Sequence, residues 1–218
     1  DGSVTPRPMY PADGRKFFDV YTWPYDLRPA LKKALGDFPF ATFWGPAAGV
    51  KSPQGAPDAA TRWIAGSAKW IEKKHSPTLN LVYLPHLDYN LQRLGPQHPA
   101  VADDLRRIDA IVGDLLDFFA ARGVQPILLS EYGITPVSRP VHLNRIFRER
   151  GWVTIKEELG LELPDIGNSK AFAVADHQVA HIVVNDSSIL EEVRKVVLET
   201  PGVAAVHGSA DKVGLGLD

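Results

Sequence analysis

Two carboxylates stand where they could do chemistry. Asp88 lies in "YLPHLDYNLQRLGP", Tyr83 to Pro96, with His86, Asn90, Gln92 and Arg93 around it and Gly95-Pro96 closing the stretch. Glu131 opens "EYGITP", with Tyr132 beside it. Each acid follows an apolar run: "TLNLVYL" over 78–84 and "QPILLS" over 125–130. If the two runs are neighbouring strands, the acids converge at one sheet edge, and paired carboxylates with hard oxygen donors hold a divalent cation. His86, two residues before Asp88, is then a third ligand or a donor behind the ligands. Another reading stays open for each acid alone: Asp88 caps the next turn, and Glu131 pairs with Arg93 or Arg139.

The elements that must position these residues can be sketched from periodicity. Val101, Leu105, Ile108, Val112, Leu115 and Phe119 recur at spacings of three and four between Pro99 and Arg122, which predicts an amphipathic helix stopped by Gly123. Strand, helix and strand over 78–130 make a βαβ unit, whose strands run parallel. Ligands bind beyond the carboxyl ends of such strands, where Asp88 and Glu131 fall. Before this unit, "YDLRPALKKALG" predicts a short helix closed by Gly36, and 57–75 a helix capped by Asp58. The first 25 residues, with four prolines, predict an ordered loop or extended arm.

The last third changes character. "LNRIFRERG" predicts a short helix, and "SKAFAVADHQVAHIVV" two strands meeting near Asp176-His177. "SSILEEVRKVVLET" predicts a helix with Ser188 and Glu191 as a capping box, and "GVAAVH" a closing strand. This expects a small ββαβ lobe over 165–207, after a main domain over 1–160 and before a return to that domain over 208–218. His177 and His181 share a face of a strand about 13 Å apart, too far for joint metal ligation unless the segment bends. Tyr21, Trp23, Phe38, Phe40, Phe43 and Trp44 form an aromatic region, either core packing or a slot for a planar group.

Composition narrows the function classes. The chain has 218 residues, 44% hydrophobic and 23% charged, with net charge -2. That balance lacks the basic footprint of a nucleic-acid binder. No apolar run approaches the roughly 20 residues of a membrane span, and no signal peptide is legible. The absence of cysteine removes disulfides and thiolate chemistry, and is compatible with a cytoplasmic location. The chain starts at Asp1, has its single Met at position 9 and ends "KVGLGLD". A chain trimmed near natural ends and a piece of a longer protein both fit, and the expectation is the second.

Asp88 followed by Gly95-Pro96 resembles the "PDxxGHxxGP" loop of the type I phosphodiesterase / nucleotide pyrophosphatase family, within the alkaline phosphatase superfamily. "LLSEYGITPV" falls where that family has "SDHGM" after its next parallel strand. The motif-bearing resemblance covers 78–135. It implies a doubly wound, mostly parallel α/β fold and two metal ions, usually zinc, that activate a Thr or Ser nucleophile for phosphoryl transfer. It carries Asp88 over as a metal ligand. The family's motif His falls on Gln92, and its Asp-His pair on Glu131 and Tyr132. Glu131 remains a metal ligand, whereas Gln92 and Tyr132 are weak ones at best. Oxygen donors of this kind suit Mg²⁺ or Mn²⁺ better than Zn²⁺. On this resemblance the nucleophile lies outside the chain.

The expected function is metal-dependent hydrolysis of a phosphodiester, a pyrophosphate or a related phosphoryl compound, as part of a longer chain. The expected partner is a small phosphorylated substrate, with self-association or the rest of the same protein covering exposed sheet edges. The losses at Gln92, Glu131 and Tyr132 motivate a rival, a non-catalytic metabolite-binding protein on the same scaffold. A pure assembly module is a third reading.

Overall fold

The structure, a computed structural model, describes residues 2–9, 17–43 and 57–216. The chain divides into two compact units, Asp1–Pro136 and Val137–Asp218.

The first unit opens with an antiparallel hairpin of β1 (Ser3–Met9) and β2 (Phe17–Trp23), where a loop or arm was expected. The prolines are tolerated because each strand of a two-stranded ribbon has a free edge, and a residue without an N–H fits there; Pro6 and Pro8 pair in register with Val20 and Phe18. Next come α1 (Leu27–Leu35), a 3₁₀ turn at Phe40–Thr42, α2 (Ala59–His75), α3 (His86–Leu94) and α4 (Val101–Ala120). Gly36 ends α1 as expected, at φ 79° with its N–H donated to the Lys32 carbonyl. Asp58 stands at the N-cap of α2 but makes no cap bond with its side chain, which instead accepts from Arg62 at 2.9 Å.

Helix α2 serves two cores. One face joins Leu27, Leu31, Phe38, Ala60 and Trp63. The other brings Ala65 and Ala68 against Ile111, Leu115 and Phe119 of α4. The aromatic region therefore packs as core: Phe38 meets Phe40, Phe43 and Trp63 edge-on at 4.7 to 5.2 Å. Tyr21 and Trp23 are exposed, and Trp44 lies outside the described residues. The buried stripe of α4 is rotated from the expected one. Asp104, Ile108, Ile111, Leu115 and Phe119 are buried, while Leu105 is 55% exposed.

The parallel strands expected at 78–84 and 125–130 do not form among the described residues. All the described strands lie in three separate two-stranded antiparallel hairpins. Both runs lack regular secondary structure and make no ladder, and Leu81, Ile127 and Leu129 are more than four-fifths exposed. Only the ends are anchored, since Leu84 and Val124 pack against the α2–α4 core. Parallel pairing has no local route: it needs a distant partner, whereas a hairpin closes over a short turn. The chain is thus α/β in content, with short strands, and the doubly wound order is not seen.

The second unit holds α5 (Leu143–Glu149), β3 (Thr154–Glu158), β4 (Leu161–Asp165), β5 (Ala171–Asp176), β6 (Val179–Val184) and α6 (Leu190–Glu199). The β5–β6 hairpin turns at His177, as the sequence predicts. The β3–β4 hairpin was not expected. Its two-residue loop puts Leu159 at φ 53° and Gly160 at φ 75°, the doubly positive pattern that suits a hairpin turn. The expected capping box at Ser188 is replaced by Asp186, whose carboxylate accepts from the Ser188 backbone N–H at 3.1 Å. The closing strand expected at 202–207 is not paired in any described sheet. Phe147, Trp152, Val193 and Val197 centre the core, and the Asn144 amide ties α5 to β5 through two 2.7 Å bonds to the Ala173 backbone. No helix among the described residues is long and apolar enough to cross a membrane.

Candidate functional site

The stretch that carries Asp88 is a helix, not the loop its polarity suggests. Its signals are in the sequence: Pro85 precedes it, Asp88 sits in the first turn, Arg93 in the last, and Gly95 ends it at φ 82° with its N–H on the Leu91 carbonyl. An acidic side chain in the first turn also suits the positive end of the helix dipole. His86, Asp88 and Tyr89 are buried.

Asp104 of α4 holds this helix on two sides of Asp88. Its Oδ2 accepts from Asn90 Nδ2 at 2.6 Å, and its Oδ1 lies 3.4 Å from His86 Nε2. His86 and Asn90 are one turn apart, so both face this carboxylate, and the bond from Asn90 is the one that holds α3. Asn90 in turn accepts from Arg93 at 2.8 Å. His86 is 2% exposed, and burial keeps its pKa below the ordinary 6.5, although Asp104 and Asp58 pull the other way. The imidazole is therefore neutral at pH 7 and faces Asp104, which makes it a buried prop of the helix.

Asp88 finds its partner on the other expected loop. Tyr132 donates its phenol proton to Asp88 Oδ2 at 2.8 Å, across 44 residues of sequence. The acceptance by Asp88, ahead of burial, raises the Tyr132 pKa well above its ordinary 10, and the Tyr83 phenol beside it adds to the effect. Tyr132 is thus a neutral donor. The structure does bring the two sequence-selected stretches together, through Tyr132 rather than Glu131. Glu131 and Gln92 are exposed, and their side chains take part in no hydrogen bond or ion pair among the described residues. His177 is exposed in its turn beside Asp176, and His181 is exposed on β6.

Sequence reasoning missed Asp104 and Glu72, and placed Asn90 beside Asp88 without a role. Asp104 and Asn90 look like surface polar positions until the stripe of α4 is known. Glu72, 4% exposed at the end of α2, accepts from Asn80 at 2.9 Å and lies 3.5 Å from Arg122 Nε, so it fixes the start of the run that leads to α3.

The profile of the type I phosphodiesterase / nucleotide pyrophosphatase family matches residues 5–211. The chain belongs to the type I phosphodiesterase / nucleotide pyrophosphatase family. An uncharacterised pyrophosphatase/phosphodiesterase of Schizosaccharomyces pombe is 29% identical over 87 residues, covering 36% of this chain and 18% of that protein. The chain thus spans less than a fifth of that relative's length. No solved structure matches. Membership makes the chain part of a hydrolase family whose bonds are phosphodiester and pyrophosphate. The family resemblance also implies metal ions, and the residues here can be tested against them. Among the described residues no three His, Cys, Asp or Glu side chains cluster to hold an ion. One oxygen of Asp88 is engaged by a phenol, Gln92 is an uncharged amide, and Glu131 reaches solvent. This donor set does not fit the closed, nitrogen-rich centre of a resident zinc pair.

Proposed function

We propose that the protein hydrolyses a phosphodiester or pyrophosphate bond in a small phosphorylated substrate, with Asp88 and Glu131 as the carboxylates this chain contributes. The observation that supports the reading is the family match over residues 5–211, joined to the Tyr132–Asp88 bond that brings both motif stretches to one place. A divalent cation that enters already bound to phosphoryl oxygens needs only one or two protein carboxylates, which is the number these stretches carry. Mg²⁺ or Mn²⁺ suits such oxygen donors better than Zn²⁺ does. The test is release of chromophore from a chromogenic phosphodiester by the intact gene product in Mg²⁺, Mn²⁺ and Zn²⁺. Turnover above the protein-free rate supports the proposal, and its absence in all three counts against it.

A second reading, binding of a phosphorylated metabolite without cleavage, has its own support. The phenol at position 132 and the amide at position 92 stand where the family pattern has imidazoles. Calorimetry on inorganic pyrophosphate separates the two. Saturable binding with no product formed favours the second reading.

A further inference from the structure

We propose that Tyr132 is a latch that closes the Asp88 carboxylate to a resident metal ion. The inference concerns the same site as the proposed hydrolysis and deepens that reading, but its test does not depend on turnover.

The geometry carries the argument. Asp88 is 8% exposed and anchored in the first turn of α3, so it cannot swing freely to find new partners. Its Oδ2 already accepts a 2.8 Å bond from the Tyr132 phenol. A cation approaching this carboxylate must displace that proton or settle for the other oxygen. The backbone around Tyr132 supports the arrangement, since the Ser130 hydroxyl donates to the Tyr132 carbonyl at 3.0 Å.

The surroundings offer no substitute. His86 is turned toward Asp104 at 3.4 Å, on the α4 side. Gln92 and Glu131 lie in solvent. No group of three metal-binding side chains forms among the described residues. A hydrogen bond to a charged carboxylate is one of the stronger kinds, so a cation that takes Oδ2 must break it at a cost of about tenfold or more in affinity. Freeing Asp88 from the phenol therefore raises metal affinity by roughly that factor.

The experiment is calorimetric titration of the intact chain with ZnCl₂ and MnCl₂, comparing wild type with Tyr132→Phe. The substitution keeps the ring and removes only the hydroxyl. Because Tyr132 is 43% exposed and lies outside any helix or strand, the fold tolerates the change. The wild type is expected to bind only weakly, and Tyr132→Phe about tenfold or more tightly. The double variant Asp88→Asn/Tyr132→Phe is expected to lose that gain, which locates it at Asp88. Sub-micromolar zinc binding by the wild type overturns the latch, and so does an unchanged or weaker isotherm for Tyr132→Phe. A gain that survives Asp88→Asn also overturns it, because the ion then binds elsewhere. Loss of the hydrolase reading leaves each of these outcomes legible.

Discussion

Asp104→Ala is the perturbation that most directly probes how the fold holds the site. Asp104 is 7% exposed and accepts a 2.6 Å bond from Asn90, with His86 Nε2 at 3.4 Å. The bond to Asn90 involves a charged acceptor and is worth about 1.5–3 kcal/mol. His86 adds little, because its nitrogens lack a bond of normal length even with Asp104 in place. The expected loss in the local stability of α3 is therefore about 2 kcal/mol, or roughly thirtyfold in opening equilibrium. Asp104→Asn keeps the shape and one acceptor oxygen and is expected to cost about half as much. Global unfolding would blend two compact units, so the assay is amide hydrogen exchange read residue by residue. Leu91 and Gly95 report α3, and Val196 and Val197 of α6 serve as the control. Unchanged exchange in α3 would refute the clamp. Equal acceleration in α6 would show that Asp104 acts on the whole chain and not on this helix.

Three other outcomes are expected. Phe147 is 0% exposed and 5.5 Å from the Trp152 ring, so Phe147→Ala should cost the second unit about 3–5 kcal/mol, read from amide exchange at Val196 and Val197 of α6. His86 has a folded-state pKa below its ordinary 6.5 because it is buried, so below that pH the unfolded chain takes up a proton that the folded one resists. Stability contributed by the neutral imidazole is complete above pH 6.5 and declines as pH falls, even with Asp104, Asp58 and Arg107 around it; His86→Gln should flatten that slope in melts from pH 7.5 to 5. The runs at 78–84 and 125–130 expose Leu81, Ile127 and Leu129 beside unpaired backbone, an invitation to strand pairing between copies, so light scattering should show self-association that Leu81→Lys with Leu129→Lys reverses.

The sequence was most legible where structure is local. The spacing of Ile108, Leu115 and Phe119 made α4 visible, and the turn at His177 separated β5 from β6. Asp88 and the 131–132 stretch were selected together, and a 2.8 Å bond joins them. What was hidden depends on partners that no short window contains. The exact stripe of α4 turns on whether Asp104 or Leu105 faces inward, and Asp104 wins because Asn90 of α3 satisfies it. The apolar runs at 78–84 and 125–130 have the composition of buried strands, but composition cannot supply the neighbour that a parallel ladder requires. The β3–β4 hairpin was missed because Leu159 does not advertise a positive φ as Asn or Asp does.

The central claim is that Asp88 serves phosphodiester or pyrophosphate hydrolysis. Its most direct test compares wild type with Asp88→Asn for p-nitrophenol release from bis-p-nitrophenyl phosphate in Mn²⁺, at matched folding judged by circular dichroism. Asn keeps the shape and removes the charge at the acceptor of the Tyr132 bond. Turnover by the wild type that collapses in Asp88→Asn is the expected result. Both proteins are made as the intact gene product; equal turnover by the two, or none by the wild type in Mn²⁺, would contradict the account.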